Sequence, residues 1–198
     1  MWHRGSELLD PTTILQRAGI RPGWHVADIG CGSIGHFVFP AARLVGGLGK
    51  VYAVDIQRPA LRSIESAARA AQLWNIQPVW GDFERPGGIR LPDESADLTL
   101  VSNILYLAAN RPGVLEEAMR LTKSGGYLLI VDWKEGMEGL GPSEEGCIKV
   151  EEALDHMQRH PVQWSDRFEA GPHHYGLLFQ KEEGDGEAKV ISVSNTFE

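Results

Sequence analysis

Residues 26–37 read VADIGCGSIGHF. An apolar run, Val26 to Ile29, leads without a linker into Gly30, Gly32 and Gly35, and then into a segment of helical pattern. A strand that ends in a glycine-rich turn and feeds a helix is built to bring backbone N–H groups close to a ligand. The glycines supply turns and close approach that residues with a Cβ resist. Asp28 lies two residues before the first glycine. A carboxylate there sits at the mouth of a strand whose other residues are suited to burial.

Outward from this stretch, short apolar runs alternate with longer helical patterns. Asp10-Pro11 opens a first helix, with Asp10 as N-cap and Pro11 at the first helical position, and the helix stops near Gly19. Residues 23–30 form the first strand and 35–45 a helix. Residues 50–56 (KVYAVDI) are the second strand, 59–74 an amphipathic helix and 76–82 (IQPVWGD) the third strand. The Gly- and Pro-rich loop after Asp82 leaves little room for a helix. Residues 97–104 are the fourth strand. A helix from Pro112 to Lys123 is expected to close on Gly125-Gly126, and 127–133 is the fifth strand. A helix over 149–160 and strands over 162–170 and 174–181 complete the ordered part. The reading is one domain over residues 1–182 and a disordered polar tail over 183–198. Such alternation predicts an α/β fold with a mostly parallel sheet covered by helices on both faces. Ligands bind such sheets beyond the C-terminal ends of the strands.

The chain has 198 residues, 42% hydrophobic and 23% charged, in the range of one globular domain. No window has the apolar length of a membrane span, and the N-terminus has no signal-peptide core, so a cytoplasmic protein is expected. The formal net charge is −8 with no dense Lys/Arg block, which makes nucleic acid an unlikely partner and a small molecule the expected one. The two cysteines, Cys31 and Cys147, carry no metal or redox spacing, and no metal is expected.

Two fingerprints fit the glycine loop. Gly30, Gly32 and Gly35 spell G-x-G-x-x-G, and Asp55 lies twenty residues past Gly35, where a dinucleotide site places its ribose-binding acid. Asp28, Gly30 and Gly32 spell D-x-G-x-G, the start of a loop that holds S-adenosylmethionine. Three features favour the second. Asp28 is awkward beside a pyrophosphate and useful beside the amino group of a methionine moiety. Asp82, at the end of the third strand, can accept from an adenine amino group, with Phe83 closing over the ring. Finally, 198 residues leave no room for a separate dehydrogenase substrate domain.

VADIGCGSIGHF, VYAVDI, VWGDF, DLTLVSNILYL and GGYLLIVDW together resemble, in order and spacing, the successive motifs of class I S-adenosylmethionine-dependent methyltransferases, nearest the ubiquinone/menaquinone-biosynthesis type. The resemblance implies a Rossmann-like seven-stranded sheet of order 3-2-1-4-5-7-6 with the last strand antiparallel. It also implies roles. Gly30 and Gly32 would admit the methionine part of the cofactor, Asp55 would grip the ribose hydroxyls, and Ile56 would pack on the adenine. Asp82 and Phe83 would complete the adenine site, and Asn103 would lie near the methionine. The loop departs from the family pattern: Ser33 and Ile34 both separate Gly32 from Gly35, where one residue is usual. His36, His173 and His174 are candidate bases, Tyr106 and Trp133 candidate substrate-pocket walls, and 134–147 a candidate lid. A nicotinamide-dependent oxidoreductase and a cofactor-binding domain without catalysis remain the alternatives.

Overall fold

The computed structural model describes residues 9–134, 142–143 and 146–183. The expected polar tail beyond Glu183 and most of the expected lid lie outside them. The elements are α1 (Pro11–Arg17), β1 (His25–Ile29), α2 (Val38–Val45), β2 (Lys50–Asp55), α3 (Arg58–Ala70), β3 (Ile76–Trp80), β4 (Ala96–Ser102), α4 (Arg111–Leu121), β5 (Thr122–Trp133), α5 (Val150–Met157), β6 (Val162–Gly171) and β7 (His174–Lys181). One seven-stranded sheet has the order β3-β2-β1-β4-β5-β7-β6. β7 runs antiparallel to β5 and β6, and the other pairings are parallel.

The parallel strands are apolar on both faces because helices cover both. Alternation along each strand divides the core in two. Ala27, Ile29, Tyr52 and Val54 face α4 and α5 through Val114, Leu115, Ala118, Ala153 and Met157. Val26, Val51 and Ala53 face α1, α2 and α3 through Leu15, Val38, Ala42, Val45 and Ile64. The same alternation puts Asp28 and Asp55 on the α1–α3 face, at the C-terminal ends of neighbouring strands. Asp28 is in register with Ala53.

The helix starts follow their caps. Asp10 accepts from Thr12 N at 3.1 Å, and Asn110 accepts from Gly113 N at 3.2 Å. Two boundaries differ from the sequence reading. α4 ends at Leu121, because Thr122 is already extended and pairs with Ala96. Gly125 and Gly126 therefore lie in a register shift of β5 and do not cap the helix. β3 ends at Trp80, and Gly81 makes only an isolated bridge to Ile89, so Asp82 stands in the following loop.

Gly35 packs the glycine loop onto its helices. Its φ is +62°, and a Cβ there would lie 2.5 Å from Ile64 Cδ1 and 2.9 Å from Phe39 Cε2. Gly35→Ala combines a left-handed backbone with this overlap and should cost about 2 kcal/mol. Thermal unfolding should show a Tm lower by roughly 4–8 °C. An unchanged Tm would remove this packing role.

Candidate cofactor and acceptor site

The glycine loop crosses the ends of β1 and β2. Gly30 N and Cys31 N both donate to Val54 O at 2.9 Å, which ties the loop to β2. Gly30 has φ +72°, and a Cβ on it would fall 2.1 Å from Ile104 Cδ1. The loop after β4 thus lies directly against Gly30. Gly32 has φ +64° and open space where a Cβ would stand, so its backbone borders free volume. Ser33 and Ile34 point away from the sheet, Ile34 with 80% of its surface exposed. The extra residue is accommodated as an outward bulge.

Asp55 supports this loop from below. Its Oδ2 accepts from Gly32 N at 2.9 Å and its Oδ1 from Gln57 N at 2.8 Å. Each oxygen keeps a second lone pair for a ligand. Asp28 is buried, with 3% exposure. Burial, and next the Asp55 charge, push its carboxyl up to about 8.

That shift has a sign that can be tested. The folded protein holds the Asp28 proton to higher pH than the unfolded chain, so its contribution to stability falls as pH rises from about 4 to 8, by at most ~1.4 kcal/mol per pH unit. Asp28→Asn should therefore gain stability on the wild type between pH ~5 and ~8 in urea denaturation. A constant difference across that range would contradict the assignment.

The remaining expected residues are arranged around this centre. Ile56 is 45% exposed, and its carbonyl accepts from Trp80 Nε1 at 2.9 Å. The Arg58 guanidinium lies over Trp80, 5.0 Å from the ring centroid. Asp82 is partly engaged within its own loop: Oδ2 pairs with Arg85 at 3.0 Å and Oδ1 accepts from Glu84 N at 3.2 Å. Phe83 is half-buried and packs against the α4–α5 side of the core. Asn103 has φ +54°, which a short polar side chain tolerates. Its N–H donates to Val131 O at 2.9 Å, and its Oδ1 is buried without a partner.

Asp132 is an acid the sequence reading passed over. It is fully buried at the end of β5, where Oδ2 accepts from Leu105 N at 3.1 Å and Oδ1 from Trp133 N at 2.8 Å. Burial pushes it up to about 6, against the pull of these backbone bonds and Arg111. It pins the loop that carries Asn103 and Ile104. The signal was present: like Asp55, it is an acid closing a buried apolar strand. Arg111 anchors the same loop through Leu105 O at 2.9 Å, and it also binds Gly146 O at 2.9 Å and Glu152 at 3.0 Å.

The three candidate histidines do not share one environment. His174 is buried at the start of β7, and its ring lies 4.2 Å from that of Trp133. Burial, then electrostatic interaction with His173, Lys134 and His36, pushes it down to about 4. His36 also falls below the usual imidazole range through burial, although a backbone hydrogen bond with Leu9 opposes this. Tyr106, expected as a pocket wall, is raised by burial and by Asp132.

A family profile described as a methyltransferase domain matches residues 20–184. The chain belongs to this family. With the sheet order above, the family is that of the class I S-adenosylmethionine-dependent methyltransferases, and the chain is similar to the ubiquinone/menaquinone-biosynthesis group. The chain is 30% identical over 144 residues to an aklanonic acid methyltransferase of Streptomyces sp. (strain C5), covering 72% of this chain and 62% of that protein. It is 27% identical over 119 residues to a demethylmenaquinone methyltransferase of Geobacillus stearothermophilus, covering 60% and 49%. It thus spans less than two thirds of the length of these curated relatives. A solved S-adenosylmethionine-dependent methyltransferase from Aquifex aeolicus superposes with a TM-score of 0.80 at 26% identity, covering 88% of this chain and 91% of that one. Among the described residues no helix is long and apolar enough to cross a membrane.

Proposed function

We propose that this chain transfers the methyl group of S-adenosylmethionine to a small-molecule acceptor. The observation that carries the reading is the pair of buried carboxylates, Asp28 and Asp55, flanking the glycine loop. A pyrophosphate placed there would meet the Asp55 charge and make ionisation of Asp28 still more costly. The ammonium and sulfonium of S-adenosylmethionine instead suit Asp55 and favour ionisation of Asp28 on binding. The open space at Gly32 and the unpartnered Asn103 Oδ1 fit the same ligand.

In this reading Asp28 faces the methionine ammonium, and Gly30 and Gly32 border the methionine portion. The free lone pairs of Asp55 take the ribose hydroxyls. Ile56 and Phe83 contact the adenine, Asp82 accepts from its amino group, and Asn103 lies beside the methionine. The bound cofactor supplies an already activated methyl group. The chain aligns the nucleophile in line with the sulfur and excludes water. The aklanonic acid and nocamycin relatives, by their names, act on small molecules, and the acidic net charge of this chain favours the same class.

The test is a tritiated-methyl transfer assay with the full chain on fractionated cell extract. Label is expected in low-molecular-weight material. Label in no fraction, despite S-adenosylmethionine binding, would instead favour a cofactor-binding domain without catalysis.

A further inference from the structure

Where the parallel strands begin, at the edge of the sheet opposite the glycine loop, lies an open cavity of about 700 Å³. Two helix-to-strand turns frame it, α2 into β2 and α3 into β3. Its lining includes His25, Arg43, Leu48, Lys50, Trp74 and Asn75. His25 and Lys50 open β1 and β2, whose far ends carry Asp28 and Asp55. A five-residue strand spans on the order of 15 Å, so the cavity is separate from the glycine loop. Its walls are tied together. Asn75 Nδ2 donates to Ala42 O at 2.8 Å and to Gly46 O at 3.0 Å, and Val51 N donates to Asn75 O at 2.8 Å. Gly46, with φ +67°, turns the chain out of α2, and a Cβ on Gly46 or Gly47 would meet nothing within 4 Å.

The lining is one-sided in charge. The chain has a formal net charge of −8, yet the cavity is lined by Arg43, Lys50 and His25 and by no Asp or Glu. Among the described residues no carboxylate pairs with Arg43 or Lys50. Asp97, which accepts from His25 N at 2.7 Å, is already paired with Lys123 at 2.8 Å. A basic residue in the last turn of a helix commonly serves the terminal carbonyls, but here other donors hold them. Ala42 O accepts from Asn75 and Gly46 N, Val45 O from Gly23 N, and Gly46 O from Asn75 and Gly49 N. The Arg43 guanidinium is left for a ligand. Beside these cations stand two uncovered apolar side chains, Trp74 with 76% and Leu48 with 93% of the surface exposed. Trp24, Trp80, Trp133 and Trp164 each lie against a ring or a guanidinium. Among the described residues Trp74 meets neither.

We propose that this cavity binds a monophosphate ester of a flat ring compound, with the ring stacked on Trp74 and the phosphate on Arg43 and Lys50. A phosphate dianion matches two cations, where a carboxylate matches one. A flat ring covers the exposed indole face, and such stacking tolerates many ring types. The volume falls in the small-molecule range of about 300–1,000 Å³. An open mouth leaves part of the ligand in water, which suits a charged ester and keeps the cost of desolvating it low. The site shares no residue with the glycine loop, so the inference goes beyond the methyltransferase reading and does not depend on it.

The experiment is calorimetric titration of the full chain, with and without saturating S-adenosylhomocysteine. The probes are uridine monophosphate and 1-naphthyl phosphate, and the controls are uridine, 1-naphthol and inorganic phosphate. Saturable binding below about 1 mM is expected for the esters and not for the controls. The tighter of the two esters tells a nucleotide ligand from another aromatic phosphate. Trp74→Ala should weaken binding by roughly 5- to 150-fold. Arg43→Gln and Lys50→Gln should each weaken it by roughly 2- to 5-fold. Saturating S-adenosylhomocysteine should leave the affinity unchanged. No binding of either ester, equal binding of inorganic phosphate, or an affinity unmoved by Trp74→Ala overturns the proposal. Loss of binding on adding S-adenosylhomocysteine places the probe at the glycine loop and also overturns it. Sedimentation of the same samples checks the remaining occupant: a dimer that Trp74→Ala dissolves would give the cavity to a second copy of the chain instead. Should Trp74→Ala not fold, Arg43→Gln and the wild-type probe series still decide.

Discussion

Asp55→Ala should weaken S-adenosylhomocysteine binding by roughly 10- to 150-fold, or about 1.5–3 kcal/mol, the worth of one hydrogen bond to a charged acceptor. The carboxylate has two duties. It holds the glycine loop by accepting from Gly32 N and Gln57 N, and in the proposed complex it receives the ribose hydroxyls. Alanine ends both. Asp55→Asn is a sharper variant, because its amide NH₂ must confront one of two N–H donors and cannot accept from it. Calorimetric titration of a variant with wild-type far-UV circular dichroism reads the effect. Unchanged affinity in such a folded variant would sink the ribose assignment.

Arg120→Met is expected to destabilise the fold by about 3–5 kcal/mol, the usual cost of leaving a buried charge without its partner. Glu117 is 1% exposed on α4, inside the molecule. It accepts from Gly87 N at 2.8 Å and Ile89 N at 2.9 Å, and from Arg120 at 2.9 and 2.7 Å. Burial raises this carboxyl, but the Arg120 and backbone bonds outweigh it and hold it below the usual glutamate range. Its contribution is thus present at neutral pH and is lost as pH falls through that lowered value. Arg120 also donates to Ile89 O and Leu91 O, both at 2.9 Å, and binds Asp93. The pair therefore fastens to α4 the loop that begins with Asp82 and Phe83. Denaturant unfolding at neutral pH measures the loss. A cost below about 1 kcal/mol would put this network in the class of surface ion pairs.

The sheet was legible because its strands are short apolar runs bounded by glycine, proline and helix caps. Asp10 and Asn110 cap the helices they precede, and a mostly parallel sheet follows from strand–helix alternation, whereas the strand order came only with the family resemblance. The glycine loop was legible only in part. Gly35 matched a ligand-binding fingerprint by spacing, yet it serves helix packing against Ile64 and Phe39. Spacing alone does not separate a glycine that admits a ligand from one that admits a neighbouring side chain. Gly125-Gly126 misled for a similar reason: a glycine pair after a helix also suits a strand irregularity, and Thr122 found a partner in Ala96 first.

The chemistry at the C-terminal ends of the parallel strands depends on contacts distant in sequence. The Leu9 backbone acts on His36, and β5 and β7 bring Trp133 against His174. None of these leaves a local pattern. Asp132 did leave one, but an acid after a buried strand is equally a turn residue until Leu105 N is seen to bind it.

Calorimetry of the wild-type chain with S-adenosylhomocysteine and, separately, NAD tests the central claim most directly. Buried Asp28 and Asp55 at the glycine loop predict saturable binding of S-adenosylhomocysteine and no binding of NAD. Tight NAD binding without S-adenosylhomocysteine binding would contradict the account and make G-x-G-x-x-G the true reading of residues 30–35.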